Sequence, residues 1–103
     1  TRIWGNGSSA SSDRLTTSVA GVWDGYWSGT DVTGASMTIT QIMNYSNSTT
    51  YKTYLARANT ANNYVQALVG LWRSTSAITS LKIFIGSNYA AGSSFTLYGI
   101  KAA

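Results

Sequence analysis

Val65-Gln66-Ala67-Leu68-Val69-Gly70-Leu71-Trp72 sets Val65, Ala67, Val69 and Leu71 in alternation with Gln66, Leu68, Gly70 and Trp72. Successive side chains of a strand point to opposite sides, so a period of two marks a β-strand, whereas a helix repeats every ~3.6 residues. Upstream, Tyr51, Thr53 and Leu55 alternate with Lys52, Tyr54 and Ala56. Downstream, Leu81, Ile83 and Ile85 alternate with Ser80, Lys82 and Phe84, the cleanest such signal in the chain. Phe95, Leu97 and Gly99 against Thr96, Tyr98 and Ile100 give a closing strand. No segment sustains a helical period, so any helix is expected to be a turn or two.

Working outward, residues 59–63, Gly86-Ser87-Asn88 and Ala91-Gly92-Ser93-Ser94 read as turns, and residues 73–77 as a short polar connection. Towards the N-terminus, Arg2-Ile3-Trp4 is a short strand, and Gly5-Asn6-Gly7-Ser8-Ser9 and Ser11-Ser12-Asp13 are turn or loop. Residues 14–19 suggest another short strand. Asp24-Gly25 is a hairpin dipeptide among strand-favouring residues, and residues 31–34 turn the chain again. Residues 35–45 read as a strand in which Met37 and Ile39 alternate with Thr38 and Thr40. The frame changes at Ile42-Met43, which implies a bulge or a strand buried on both faces. Residues 44–50 form a polar loop. Seven or eight short antiparallel strands with turn signals every ~8–12 residues predict an all-β, jelly-roll-like β-sandwich. Residues 1–103 make a single domain, with 1–18 an N-terminal arm or a loop-rich strand pair.

Composition agrees. Glu is absent while Thr and Tyr are abundant, a balance that favours strands over helices. Charged residues are 10% of the chain, and Ser and Thr together number 29, so the polar surface is built from hydroxyls and amides. There is no Pro, which removes one usual protection of sheet edges. An uncovered edge is therefore expected to meet a neighbouring subunit. The chain begins at Thr1 rather than Met, as a processed chain or a piece of a longer one would.

The same composition excludes much chemistry. With no Cys there is neither a disulfide nor a thiolate metal site, and with no His the commonest general base and metal ligand is missing. Nucleophile systems that need a His partner cannot be built. The side-chain carboxylates are Asp13, Asp24 and Asp31, and their spacing matches no calcium loop. No catalytic residue, cofactor or metal is expected. The net charge of +4 arises from few acids rather than many bases, and the seven cations are scattered singly. Nucleic-acid binding, which needs converging Lys and Arg, is not expected. No apolar run approaches the ~18 residues of a membrane span, so membrane insertion is not expected either.

Trp23-Asp24-Gly25-Tyr26-Trp27 is the one constellation with binding chemistry. Trp23, Tyr26 and Trp27 offer ring faces to the C–H groups of a sugar, and Asp24 accepts from its hydroxyls. The same residues also suit a different role, with Trp23 and Trp27 capping a sandwich core and Asp24-Gly25 serving only as a turn. Trp4 and Trp72 suit the core or a subunit interface, where large aromatics dominate.

The second half of the chain carries a resemblance. Tyr51-Lys52-Thr53-Tyr54-Leu55-Ala56-Arg57-Ala58, then Gly70-Leu71-Trp72-Arg73-Ser74, Ala77-Ile78-Thr79-Ser80-Leu81 and the closing Ala91-Gly92-Ser93-Ser94-Phe95-Thr96-Leu97-Tyr98-Gly99-Ile100-Lys101 resemble a C-terminal module of tailed-bacteriophage virion proteins. The likeness spans residues 51–101. It implies a jelly-roll-like sandwich without catalysis, a head-decoration or fibre domain located in the virion. Such a module is expected to self-associate, a trimer being favoured, and to contact other virion proteins. The alternative is a host-attachment module that binds a bacterial surface glycan through Trp23, Asp24, Tyr26 and Trp27.

Overall fold

The computed structural model describes residues 1–14, 36–60, 64–83 and 88–100. They contain five strands: β1 (Arg2–Gly5), β2 (Ala10–Asp13), β3 (Ser36–Ile42), β4 (Lys52–Thr60) and β5 (Tyr64–Trp72). All pair antiparallel in one sheet of order β2-β1-β5-β4-β3. The chain is all-β as composition and periodicity indicate, and no helix occurs among the described residues.

β4 and β5 are the centre of the sheet and the alternating segments from which the fold was read. Nine residues of each strand pair in one unbroken register from Lys52↔Trp72 to Thr60↔Tyr64. β4 therefore runs on through Asn59 and Thr60, where the sequence suggested a turn. Residues 61–63 lie outside the described set.

The β1–β2 hairpin corrects the loop reading of Ser11-Ser12-Asp13, which pair with Trp4, Ile3 and Arg2 as β2. Ser-rich sequence has little strand preference of its own, but the connection imposes the pairing. Asn6 Oδ1 accepts from the N–H groups of Ser8 (3.0 Å) and Ser9 (2.8 Å), and Ser9 C=O accepts from Asn6 N–H at 3.2 Å. Gly7, with φ 87°, occupies the left-handed position that a residue with a Cβ rarely takes. At the other side of β1 the ladder reaches the chain's first residue. The Thr1 ammonium donates to Val69 C=O, and Val69 N–H donates to Thr1 C=O, both at 3.0 Å.

β3 differs from expectation in two respects. Its register with β4 is one-to-one from Ser36↔Thr60 to Ile42↔Tyr54, and Met43 N–H continues it by donating to Thr53 C=O at 2.9 Å. There is no bulge at Ile42-Met43. Nor is the strand buried on both faces: six of its seven residues are exposed. The frame change marks the strand's end, where Asn44 turns the chain at φ 56°. Asn47 Oδ1 then gathers the N–H groups of Thr49 and Thr50, a side-chain turn of the kind Asn favours.

The closing segments are the larger departure. Residues 81–83 and 95–100 join no ladder, although their alternation is as regular as that of β5. Leu97, Tyr98 and Ile100 are more than four-fifths exposed. Alternation reports which residues suit a strand; it does not supply the partner edge a strand needs. The described residues thus form one five-stranded sheet. The expected strand in residues 14–19 and the Asp24-Gly25 hairpin lie outside them, apart from Arg14, which is in no strand, and so do Phe84, Ile85, Gly86 and Ser87 of the expected later strand and turn.

Candidate functional site

Residues opposite one another on paired strands share a face, so register and burial together assign the two sides of the sheet. One face is covered. Ala56, Ala58, Leu68, Lys52 and Gln66 are each at most 4% exposed. On this face the Tyr54 ring lies over Gly70, its register partner, so closely that a Cβ at residue 70 would fall inside the ring.

Polar groups on the covered face are mostly tied. Lys52 Nζ donates to the carbonyls of Thr50 and Thr75, each at 2.8 Å. These bonds pin the chain beyond β5 back against the start of β4. Ile78 N–H strengthens that attachment by donating to Tyr45 C=O at 2.7 Å. Tyr64 Oη donates to Gln66 Oε1 at 3.3 Å, while Gln66 Nε2 is buried without an acceptor. Burial pushes the phenols of Tyr54 and Tyr64 above their ordinary range.

An ion pair joins register partners across β1 and β2. Arg2 grips Asp13 with two parallel bonds, Nε to Oδ1 at 2.7 Å and Nη2 to Oδ2 at 2.6 Å. The same guanidinium lies 4.7 Å from the centre of the Trp4 ring. The hydrogen bond from Arg2 holds the Asp13 carboxyl below its usual range and raises Arg2 in turn. This fork places Asp13 in structure, with its acceptor oxygens already engaged.

The opposite face is apolar and open. Ile3, Val65, Val69 and Leu71 are more than half exposed, and Leu55 and Met37 are close to half. The register makes them neighbours: Leu55 faces Val69, Met37 lies in the row of Asn59 and Val65, and Ile3 pairs with Ala67. Arg57 is the single charged residue the register places among them. This surface was missed at the level of sequence, although β5 carries a signal for it. With Val65, Val69 and Leu71 on one side and Leu68 and Trp72 on the other, that strand is apolar on both faces and asks for cover on both.

The sugar-type constellation of Trp23, Asp24, Tyr26 and Trp27 lies outside the described residues. Of the other aromatics singled out, Trp4 is partly buried beneath Arg2, and Trp72 is half exposed at the end of β5. A shallow open concavity of about 330 Å³ lies by the β1–β2 turn, lined by Gly5, Gly7, Ser8, Ser9, Ala10 and Val65. It holds no ionisable side chain. Among the described residues no three of the residue types that bind metals cluster together, and no helix is long and apolar enough to cross a membrane. Comparison with known protein families, curated proteins and solved structures returned no match for this chain.

Proposed function

We propose that this chain is a non-enzymatic structural module of a bacteriophage particle, a capsid-decoration or fibre domain that works by protein–protein assembly. The observation that carries the assembly part is the open apolar face of the sheet. The virion setting comes from the resemblance of residues 51–101, and the scarcity of catalytic side-chain types in the sequence supports the absence of chemistry.

Magnitude favours a contact surface. With ~3.3 Å per residue and ~4.8 Å between strands, the five strands present a face of roughly 500 Å², apolar apart from Ser12, Gln41, Thr53, Arg57 and Asn59. Apolar patches of roughly 300–600 Å² are the largest a typical monomer shows and often have a function. Closing two such faces removes on the order of 1,000 Å² from water, the threshold of a specific interface. In the full reading, assembly also gives residues 81–83 and 95–100 the partner edges toward a jelly-roll-like sandwich of seven or eight strands.

The test is association. Static light scattering of the native chain is expected to give a mass above that of one chain. A Leu55→Lys/Val69→Lys variant is expected to shift the species toward the monomer while the single chain keeps its β circular dichroism, since both side chains are exposed in it. Unaltered association of that variant would remove the apolar face from the reading. The glycan-binding alternative rests on Trp23, Asp24, Tyr26 and Trp27, and the described sheet adds nothing to it.

A further inference from the structure

Among the described residues the sheet has two edges, and they are unlike. β2 is four residues long and ends at Asp13, whose carboxylate is held in the Arg2 fork. A short strand ending in a charge is a blunted edge. β3 at the other side is seven residues long, Ser36-Met37-Thr38-Ile39-Thr40-Gln41-Ile42, with no charge and no Pro. Among the described residues no strand pairs with its outer side, and the strand itself has neither the charge nor the Pro by which sheets protect an exposed edge.

Which of its backbone groups face outward follows from one hydrogen bond. Met43 N–H points inward to Thr53 C=O, and the register from residue 36 to 42 is unbroken. Backbone direction alternates along an antiparallel strand. Gln41, Ile39 and Met37 therefore bond inward to β4, while Ser36, Thr38, Thr40 and Ile42 turn their N–H and C=O groups outward.

From this edge we infer that β3 pairs antiparallel with β3 of a second copy of the chain, about a twofold axis at Ile39, joining two five-stranded sheets into one of ten. The inference rests on the assembly reading above and names its partner. Ile39 is the centre of the strand, so this register alone uses all seven residues of both copies. The sequence around it is symmetric, Thr38-Ile39-Thr40, so each Thr38 meets a Thr40 across the axis, a pairing that favours sheets. The four outward residues of each copy face one another, giving about eight backbone hydrogen bonds. Ile39 meets its own copy on the apolar face and makes that face continuous across the junction.

Charge does not oppose the contact. The nearest cation on that face is Arg57, the partner of Ile39 on β4. Its counterpart lies three strand spacings away, roughly 14 Å, beyond the ~8 Å screening length at physiological salt. The segment of residues 95–100 is a rival occupant, with its own unpaired strand groups. It touches its own chain near Tyr45, whose hydroxyl lies 4.0 Å from where a Cβ at Gly99 would stand. The Tyr89 and Phe95 rings, 4.9 Å apart, and the Ser93 N–H to Ala90 C=O bond shape the turn that precedes it. A twofold contact closes a pair of chains; a threefold assembly containing it would hold six.

The experiment is disulfide trapping in the full chain, which has no cysteine of its own. At a twofold axis the Ile39 Cα atoms of the two copies would be ~4.5 Å apart, as in a non-hydrogen-bonded pair, within disulfide reach. Ile39→Cys is expected to form a covalent dimer on mild oxidation. Met37→Cys alone is not, because residue 37 faces residue 41 of the other copy, and Met37→Cys/Gln41→Cys restores the link. Thr40→Pro, which removes only an outward N–H, is expected to abolish the pair while the single chain keeps its β circular dichroism. If the native chain associates but Ile39→Cys does not cross-link, or Met37→Cys cross-links as readily, this pairing is wrong and the apolar face or residues 95–100 make the contact. If the native chain is a monomer at every concentration, both this pairing and the assembly reading fall.

Discussion

The Tyr54 ring covers the backbone of Gly70, its partner across β4 and β5, and occupies the space a side chain at residue 70 would take. Glycine in a central strand is normally unfavourable, so its presence at this point has a packing reason. It lets a large aromatic lie flat on the covered face beside Ala56 and Leu68 rather than stand up from it.

Gly70→Ala is therefore expected to destabilise the chain by about 1–3 kcal/mol through overpacking. Urea unfolding of the single variants and of Gly70→Ala/Tyr54→Ala tests it. The double variant is expected to fall short of the sum, because removing the ring removes the clash. Additive losses would separate the two residues.

Lys52 is the largest fully buried side chain, and its ammonium group bonds the carbonyls of Thr50 and Thr75. Lys52→Met keeps the length and loses both bonds, leaving two carbonyls to find water. The expected cost is about 1–3 kcal/mol. Faster hydrogen exchange at the Ile78 amide would show that the bonds hold the chain beyond β5 in place. A loss of stability without that local effect would mean Lys52 acts only by filling space.

The Arg2–Asp13 fork makes the β1–β2 hairpin sensitive to acid. Asp13 is held below its usual range by the Arg2 hydrogen bond. A depressed carboxyl contributes stability above its unfolded pKa of ~3.9, and that contribution is lost as pH falls through the folded value. Between pH 5 and pH 2 the native chain is expected to lose more stability than Asp13→Asn, which has no carboxylate to titrate. Equal slopes would contradict the pairing.

Alkali acts on the other side. Burial raises the Tyr54 and Tyr64 phenols. Their contribution is complete below the unfolded pKa of ~10 and is lost as pH rises through the folded values. A tyrosinate absorbance titration is expected to show a late component that diminishes in Tyr54→Phe and Tyr64→Phe.

The centre of this sheet was legible in the chain because β4 and β5 each state a period of two over a long run. The edges were not. Ser11, Ser12 and Asp13 become strand because Asn6 and Gly7 close a tight turn that lays them on β1, an effect of connection rather than of residue type. Residues 95–100 show the reverse case: Phe95, Leu97 and Ile100 suit a strand, yet none forms without an edge to receive it. Periodicity also assigned residues to two sides without saying which side is covered. In β5 the side with Gln66, Leu68 and Gly70 is inward, and the more aliphatic row of Val65, Val69 and Leu71 is left open. For the binding constellation, sequence named Trp23, Asp24, Tyr26 and Trp27, whereas the surface the sheet presents comes from residues on four different strands. Only register brings those together.

The most direct test of the account is the mass of the native chain across a concentration series, by sedimentation equilibrium. Assembly through the apolar face and the β3 edge is expected to give an even multiple of the 11.0 kDa chain that dissociates on dilution. A single 11.0 kDa species at all concentrations would contradict self-assembly as the purpose of both surfaces.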